Sequence, residues 1–396
     1  MFDQITVIKW VKENIKLFGG DPSLITLFGE SSGAISIGLH LMSTESNDLV
    51  NRVILQSGSP MMTNAFFTRS EKSIPDFVES IKCSDDENDG KDENDGKRYS
   101  IQCLRKKSVK EILNVTHVMH EKYFFPFPPN LDDYFLSNTP TEVIKRDDKE
   151  ELFQNVKDLL IGNNARAFSY MLWLANRNIF TKDGVTVKIE RVEDVKRIMK
   201  DEIGHLLQMP TFQIGFLTGK LFANLSDANP SGANSSDANL IGANVEGKNV
   251  YLDKMIEVLG DVSFVCPSKI LADEMAALKK NVYTYVFTHK ISRGKDKWGE
   301  WFGATLHDEI PLVFGHPLRY PHRYSGKDIE LSKRLMYTWS HFATTGYLID
   351  QLDFKWPKYH SNDRLFMELN ADSASIGTNY HEETCETFKL GFDLLN

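Results

Sequence analysis

The sequence predicts an α/β protein built on a mostly parallel sheet. Short apolar runs alternate along the 396-residue chain with longer segments of helical periodicity, a pattern typical of parallel sheets covered by helices. A second observation is local, because Gly29-Glu30-Ser31-Ser32-Gly33 lies directly between a strand-like run and a helical segment. The length agrees with this fold class, since 396 residues with 41% hydrophobic side chains can bury a large core.

The first predicted elements are a helix, a strand and a second helix. One amphipathic helix is expected over the first twenty residues, where apolar side chains recur at steps of three and four until Gly19-Gly20. The run from Leu24 to Phe28 is predicted to be a buried strand, and Ala34 to Met42 a helix. The apolar positions of the first helix are Ile5, Ile8, Val11, Ile15 and Phe18.

Later segments continue the alternation of strands and helices. Buried strands are predicted over residues 52–56 and 157–161. Residues 282–288 show an alternating pattern rich in strong β formers, which also predicts a strand. Helices are predicted over residues 331–342 and 380–395. The parallel sheet is expected to form from these strands.

The charge balance argues against nucleic acid as a partner. The chain has 46 basic and 55 acidic side chains and a net charge of −9, whereas nucleic-acid binding needs clustered Lys and Arg. No stretch approaches the roughly 18 apolar residues of a membrane-spanning helix. Residues 84–97 hold seven acids and two lysines, which is over half of the net charge.

Two repeats predict loops inserted into the domain. In the first, over residues 84–97, Asp86–Lys91 is repeated at once as Asp92–Lys97. A calcium loop would put Asp85, Glu87 and Asp89 at early ligand positions, but its twelfth position is Gly96 instead of Glu. We therefore predict a solvated loop, and no metal site. The second, over residues 224–246, repeats Asn, Ser, Ala and Gly and predicts a flexible surface loop.

Cysteines and sequons indicate an oxidising, extracellular compartment. The four cysteines contain no Cys-x-x-Cys pair, which argues against zinc. Cys83 and Cys103 flank the acidic repeat and suggest a disulfide that closes a loop, and Cys266 would then pair with Cys385. Sequons predict glycosylation at three asparagines, Asn114, Asn224 and Asn234.

The motif Gly29-x-Ser31-x-Gly33 predicts a nucleophile elbow. The glycines are expected because the turn leaves no room for Cβ atoms beside the serine. Such a turn lifts the Ser31 hydroxyl above the sheet and aims the Ser32 N–H at a developing oxyanion. The N-terminus of the following helix adds a positive partial charge there.

Three segments resemble the type-B carboxylesterase and cholinesterase family. The first is the stretch from Asp3 to Gly33, which contains the motif Phe18-Gly19-Gly20-Asp21-Pro22, and the second is residues 54–60. The third is residues 298–318, which resemble the cholinesterase branch in particular. The resemblance implies an α/β-hydrolase fold over residues 1–396 as one domain, with no cofactor. It places disulfides at the same two cysteine pairs.

The resemblance also implies that the chain is about the last two-thirds of this domain. The N-terminal third of the family holds the first strands, the glycine-rich oxyanion loop and an indole that stacks on choline. We expect coding sequence upstream of Met1 that supplies them, together with a signal peptide. Without that loop, the Ser32 N–H is the oxyanion donor that remains.

Of the Ser, acid and His triad that the family uses, the alignment retains the serine. The family segment that carries the catalytic glutamate can be aligned here on Gly162, Asn164 and Ser169, which puts Ala167 at the glutamate position. The methyl group of alanine cannot accept an imidazole N–H. An ungapped match of the histidine segment puts Leu306 at the histidine position and His307 on the following glycine.

Two functions follow from this alignment. The first is a catalytically degenerate cholinesterase-like protein with a binding or structural role and an extracellular protein partner. The second is an active hydrolase of carboxylic or choline esters, in which a one-residue shift of the register lets His307 serve Ser31.

Overall fold

The computed structural model describes residues 1–65, 70–84, 99–123, 126–132, 134–175, 189, 192–198, 215, 219, 249–292, 299–348 and 356–393. The acidic repeat beyond Ser84 and the repeat of residues 224–246 lie outside the described residues, with the sequons at Asn224 and Asn234. The predictions for these segments stay predictions.

The centre of the fold is a six-stranded sheet whose strand order follows the chain. The first five strands pair in parallel, and the sixth runs antiparallel to the fifth. This confirms the predicted mostly parallel α/β sheet. The strands are β1 Thr26–Glu30, β2 Arg52–Gln56, β3 Asp158–Asn164, β4 Asn281–Phe287, β5 Leu365–Leu369 and β6 Ala374–Thr378.

Fifteen α-helices occur in the described part of the chain. They are α1 Phe2–Asn14, α2 Ser32–Met42, α3 Ser70–Ser80, α4 Ile101–Lys106, α5 Val109–Lys122, α6 Pro140–Lys145, α7 Lys149–Leu152, α8 Phe168–Ala175, α9 Val192–Arg197, α10 Val250–Gly260, α11 Cys266–Ala277, α12 Ile310–Val313, α13 His316–Arg319, α14 Gly326–Thr345 and α15 Glu382–Asp393. Short 3₁₀ turns cover Ile15–Phe18, Pro60–Ala65, Glu300–Phe302 and Pro321–Arg323, and a π-helical turn covers Asp261–Val265. No helix in these ranges is both long and apolar enough to cross a membrane.

Two of the predicted N-terminal elements differ from the structure. The first helix ends at Asn14 and a 3₁₀ turn follows, so that Ile5 and Ile8 are buried while Phe18 is 72% exposed. The strand predicted over residues 24–28 is present as β1, but it begins at Thr26 and lies at the edge of the sheet, so that its predicted burial is wrong. With a neighbour on one side only among the described strands, its Phe28 side chain is 46% exposed.

The two faces of the sheet carry separate apolar clusters. Val53 and Leu55 of β2 point into one cluster with α2 and α11, while Ile54 points into another with α14. This follows from the alternation of side chains along a strand. A third cluster, formed by α8, α10, the π-helical turn and Leu306, lies beside the site described below.

Both pairs of cysteines form disulfides. Cys83 is bonded to Cys103 with a Cα–Cα distance of 5.6 Å, and Cys266 to Cys385 with 5.0 Å. The first lies between the end of α3 and helix α4, and it encloses the acidic repeat. The second links α11 to α15, so that the C-terminal helix is covalently held to the body of the domain.

The buried side chain of His40 makes the free energy of unfolding depend on pH. Its ring is buried between Ser46 Oγ, 3.0 Å from Nδ1, and Gln4 Oε1, 2.9 Å from Nε2, and burial lowers its pKa to about 4. The unfolded chain therefore binds more protons than the folded one between pH 6.5 and 4, so this stabilisation is complete above pH 6.5 and is lost as the pH falls.

We expect acidification from pH 6.5 to 4 to cost about 3 kcal/mol through His40. Urea unfolding at several pH values measures it, and the His40→Gln variant should show a correspondingly flatter pH profile. Equal slopes for the two proteins would contradict the assignment to His40.

Candidate active site

Ser31 lies in a strained turn between β1 and α2. Its φ of 54° and ψ of −120° are rare for a residue with a side chain and cost on the order of 1–3 kcal/mol. Two backbone hydrogen bonds hold the turn, since Ser31 N donates to Gln56 O at 2.9 Å and Ile35 N donates to Ser31 O at 3.0 Å. The strand, the turn and the helix thus lie where the motif predicts them.

Steric clashes require glycine at some positions around the turn and not at others. A Cβ on Gly29 would lie 2.7 Å from the carbonyl carbon of Gly33, and one on Gly58 would lie 2.4 Å from Ser31 O. A Cβ on Gly33 would meet nothing within 4 Å. The steric expectation is therefore correct for Gly29 and wrong for Gly33, and Gly58 is a further constraint that the motif did not reveal.

The two residues that the alignment predicts at the acid and histidine positions, Ala167 and Leu306, lie in the same apolar cluster. Ala167 is 2% exposed and Leu306 is 3% exposed, and both pack in the cluster with Phe168 and Phe264. The segments that carry them are hydrogen-bonded to each other, because Arg166 N donates to Ala304 O at 2.9 Å. The fold brings the two positions together, but their side chains are hydrocarbon.

Further hydrogen bonds join these two segments. Ser169 Oγ lies 2.6 Å from Thr305 Oγ1 and donates to Phe302 O at 2.9 Å, and Asn164 Nδ2 donates to Thr305 O at 2.6 Å. These contacts hold the end of β3 and the segment that follows it against residues 302–305.

His307 lies beside the carboxylate that precedes the serine. Its Nδ1 is 2.9 Å from Glu30 Oε2, and its ring stands edge-on to Tyr170 with the ring centroids 5.5 Å apart. The backbone at His307 has a φ of +73°, which glycine adopts without strain. This conformation favours the ungapped alignment, in which position 307 corresponds to a glycine.

The Ser31 hydroxyl does not cap the helix that follows it. It makes no capping hydrogen bond to α2. Ser32 is the first residue of α2, so its N–H is one of the helix-terminal donors without a partner inside the helix.

A buried polar cluster lies below the elbow, and the sequence did not predict it. Glu309 is 1% exposed and accepts hydrogen bonds from Asn164 Nδ2 at 2.5 Å and Gln56 Nε2 at 2.9 Å. Burial raises the pKa of Glu309, and the nearby Glu30 charge raises it further, while these two hydrogen bonds oppose the shift. Glu30 Oε1 and the Tyr285 hydroxyl are buried without a hydrogen-bond partner in the described part of the chain.

The two carboxyl groups therefore have different partners. Glu309 accepts from amide donors, whereas Glu30 contacts the imidazole of His307. One signal could have pointed to Glu30, since it is the only acid inside the elbow motif. Within the described ranges no group of three His, Cys, Asp or Glu residues could hold a metal ion.

Comparison with known proteins adds a family to this geometry. A sequence model described as "Carboxylesterase family" matches residues 1–388. The chain is 30% identical over 391 residues to an acetylcholinesterase of Leptinotarsa decemlineata, an alignment that covers 97% of this chain and 56% of that protein. It is 28% identical over 392 residues to an acetylcholinesterase of Bungarus fasciatus, covering 97% and 58% respectively. The chain thus spans less than two-thirds of the length of these relatives.

Proposed function

This chain belongs to the carboxylesterase family, and we propose that it is a catalytically degenerate, cholinesterase-like member with a binding or structural role. The observation that carries the proposal is the burial of Ala167 and Leu306 in one apolar cluster. At the acid position no group can orient an imidazole, and at the histidine position no group can take the serine proton.

The expected loss of rate is large. In a well-studied serine hydrolase, removal of triad members lowers kcat by about 10⁴–10⁶. Ser31 without a base is an ordinary alcohol, which is a weak nucleophile at neutral pH. The strained turn persists because Ser31 donates a backbone hydrogen bond to β2 and accepts one from α2, and those bonds do not depend on catalysis.

The proposed setting is extracellular, and the proposed partner is another extracellular protein. Two disulfides support this setting, because disulfides persist where the redox environment is oxidising. The predicted glycosylation site at Asn114 is compatible with it, since this side chain is exposed on α5. Non-enzymatic members of the family act in adhesion and recognition, which supports the partner class by analogy.

One observation favours a second candidate, an esterase that uses Ser31 with His307. The 2.9 Å contact between His307 Nδ1 and Glu30 Oε2 is the arrangement in which a carboxylate orients a histidine base. The substrates would be carboxylic esters, and choline esters in particular, because the similar proteins are acetylcholinesterases.

Labelling of Ser31 by a fluorophosphonate probe distinguishes the two candidates. We expect the wild-type chain and the Ser31→Ala variant to show equal background labelling and equal hydrolysis of thiocholine and nitrophenyl esters, because the hydroxyl is not activated. Retention of both disulfides by mass spectrometry, together with a native circular dichroism spectrum, ensures that folded protein is compared.

Labelling that Ser31→Ala abolishes would overturn the proposal. The variants His307→Gln and Glu30→Gln then test the second candidate. Loss of labelling in both assigns the base to His307 and its orientation to Glu30, whereas labelling that survives both substitutions rejects that dyad as well.

A further inference from the structure

A basic and aromatic cluster lies on the surface between α12 and α14. We call it the Arg-Tyr-Arg cluster and define it as His316, Arg319, Tyr320, His322 and Arg323. Residues 310–327 contain no Asp or Glu, in a chain whose net charge is −9. The cluster is outside the site around Ser31, and the proposed function does not use it.

The two guanidinium groups of the cluster lie close to one aromatic ring. Arg319 Cζ lies 5.5 Å and Arg323 Cζ 5.4 Å from the centroid of the Tyr320 ring. Cation–π contact at this distance restrains both side chains while leaving their N–H donors available. The Tyr320 ring is itself half-buried against His316, whose ring centroid is 4.5 Å away.

Both arginines of the cluster are exposed, and within the described ranges no carboxylate forms an ion pair with Arg319 or Arg323. The acid nearest to Arg323 in the sequence is Asp328, which is buried and accepts hydrogen bonds from Ser325. Its Oδ1 lies 2.7 Å from His289 Nε2. Two permanent positive charges therefore face solvent together.

We propose that the Arg-Tyr-Arg cluster binds the sulfate groups of a sulfated polysaccharide. Guanidinium groups are planar, always charged and weakly hydrated, so they bind tetrahedral oxyanions through paired N–H donors. Charge complementarity selects a polyanion over a neutral ligand. A sulfated chain has a high density of such groups, so that neighbouring sulfates can reach both guanidinium groups.

The proposal extends beyond the proposed function, and it does not depend on whether Ser31 is active. The test measures binding of the full chain to a heparin oligosaccharide by isothermal titration calorimetry between 50 and 200 mM salt. The variant is Arg319→Gln with Arg323→Gln. The matched control is Arg105→Gln with Lys106→Gln, which removes two exposed charges of α4.

We expect the wild-type chain to bind heparin and the cluster variant to bind at least about tenfold more weakly. The slope of log Kd against log salt should fall by about two, roughly one unit for each lost contact. The control variant should keep the wild-type slope to within about half a unit.

Several outcomes would overturn the proposal. They are wild-type affinity in the cluster variant, an equal loss in the control variant, and equal binding of desulfated heparin. Stronger binding to polyglutamate or to phosphatidylserine vesicles than to heparin would assign the cluster to an acidic peptide or to a lipid surface instead.

Discussion

The Ala167→Glu variant is expected to lose about 3–5 kcal/mol of unfolding free energy, because its carboxylate would be buried without a partner. The Ala167 side chain is 2% exposed and packs among Phe168, Phe264 and Leu306. If position 167 had kept the environment of a catalytic acid, polar groups would be available to receive this carboxylate. The apolar cluster provides none.

The Leu306→His variant is expected to lose about 2–4 kcal/mol, through lost packing and a poorly satisfied imidazole. The double variant should lose less than the sum of the single losses, by about 0.5–3 kcal/mol, because an imidazole and a carboxylate introduced together can pair. Urea unfolding of the four proteins measures this coupling.

Ala277→Glu is a matched control at an exposed alanine at the end of α11, and its expected effect is below about 1 kcal/mol. If Ala167→Glu were tolerated as well as the control, position 167 would be open to water. The main observation behind catalytic degeneracy would then be lost.

Removal of the Cys266–Cys385 disulfide is expected to destabilise the chain by about 5 kcal/mol. The bond closes a loop with a sequence separation of 119, and the entropy of the unfolded chain rises when such a loop is opened. Cys266→Ala with Cys385→Ala is the variant, and urea unfolding without reductant is the measurement. The two side chains are 1% and 7% exposed, so lost packing adds to the effect.

The Cys83–Cys103 bond is the internal comparison. Its sequence separation is 20, for which the same chain-entropy argument gives about 3 kcal/mol. An equal or larger loss on removing this shorter crosslink would contradict the assignment of the effect to loop length. In the variant that lacks the Cys266–Cys385 bond, ion pairs from Lys269 and Arg364 to Glu382 would still hold α15.

The central strands could be predicted from the sequence because they are buried on both faces. The predicted residues 52–56, 157–161 and 282–288 correspond to β2, β3 and β4 with shifts of a few residues at their ends. Strands β5 and β6 were not predicted. They lie at the far edge of the sheet, and most β6 side chains are partly exposed, so their apolar pattern is weak.

The candidate site was predictable only in part. A tight turn is a local feature, so Ser31 and Ser32 could be placed from their neighbours in the sequence. The cluster of Glu309, Gln56 and Asn164 joins three segments that are far apart in the chain. No local pattern reports such a contact, because it depends on how the strands and the following loops are arranged in space.

The sequence by itself determined the α/β class and the serine elbow, and its alignment predicts alanine and leucine at two triad positions. Only the tertiary structure decided that Ala167 and Leu306 form packed core instead of an open gap, and that His307 faces Glu30. The physical reason is that chemical identity is local, whereas burial and partners are set by distant segments. At position 307 the backbone has a φ of +73°, a conformation that the structure shows directly and a histidine in the sequence does not indicate.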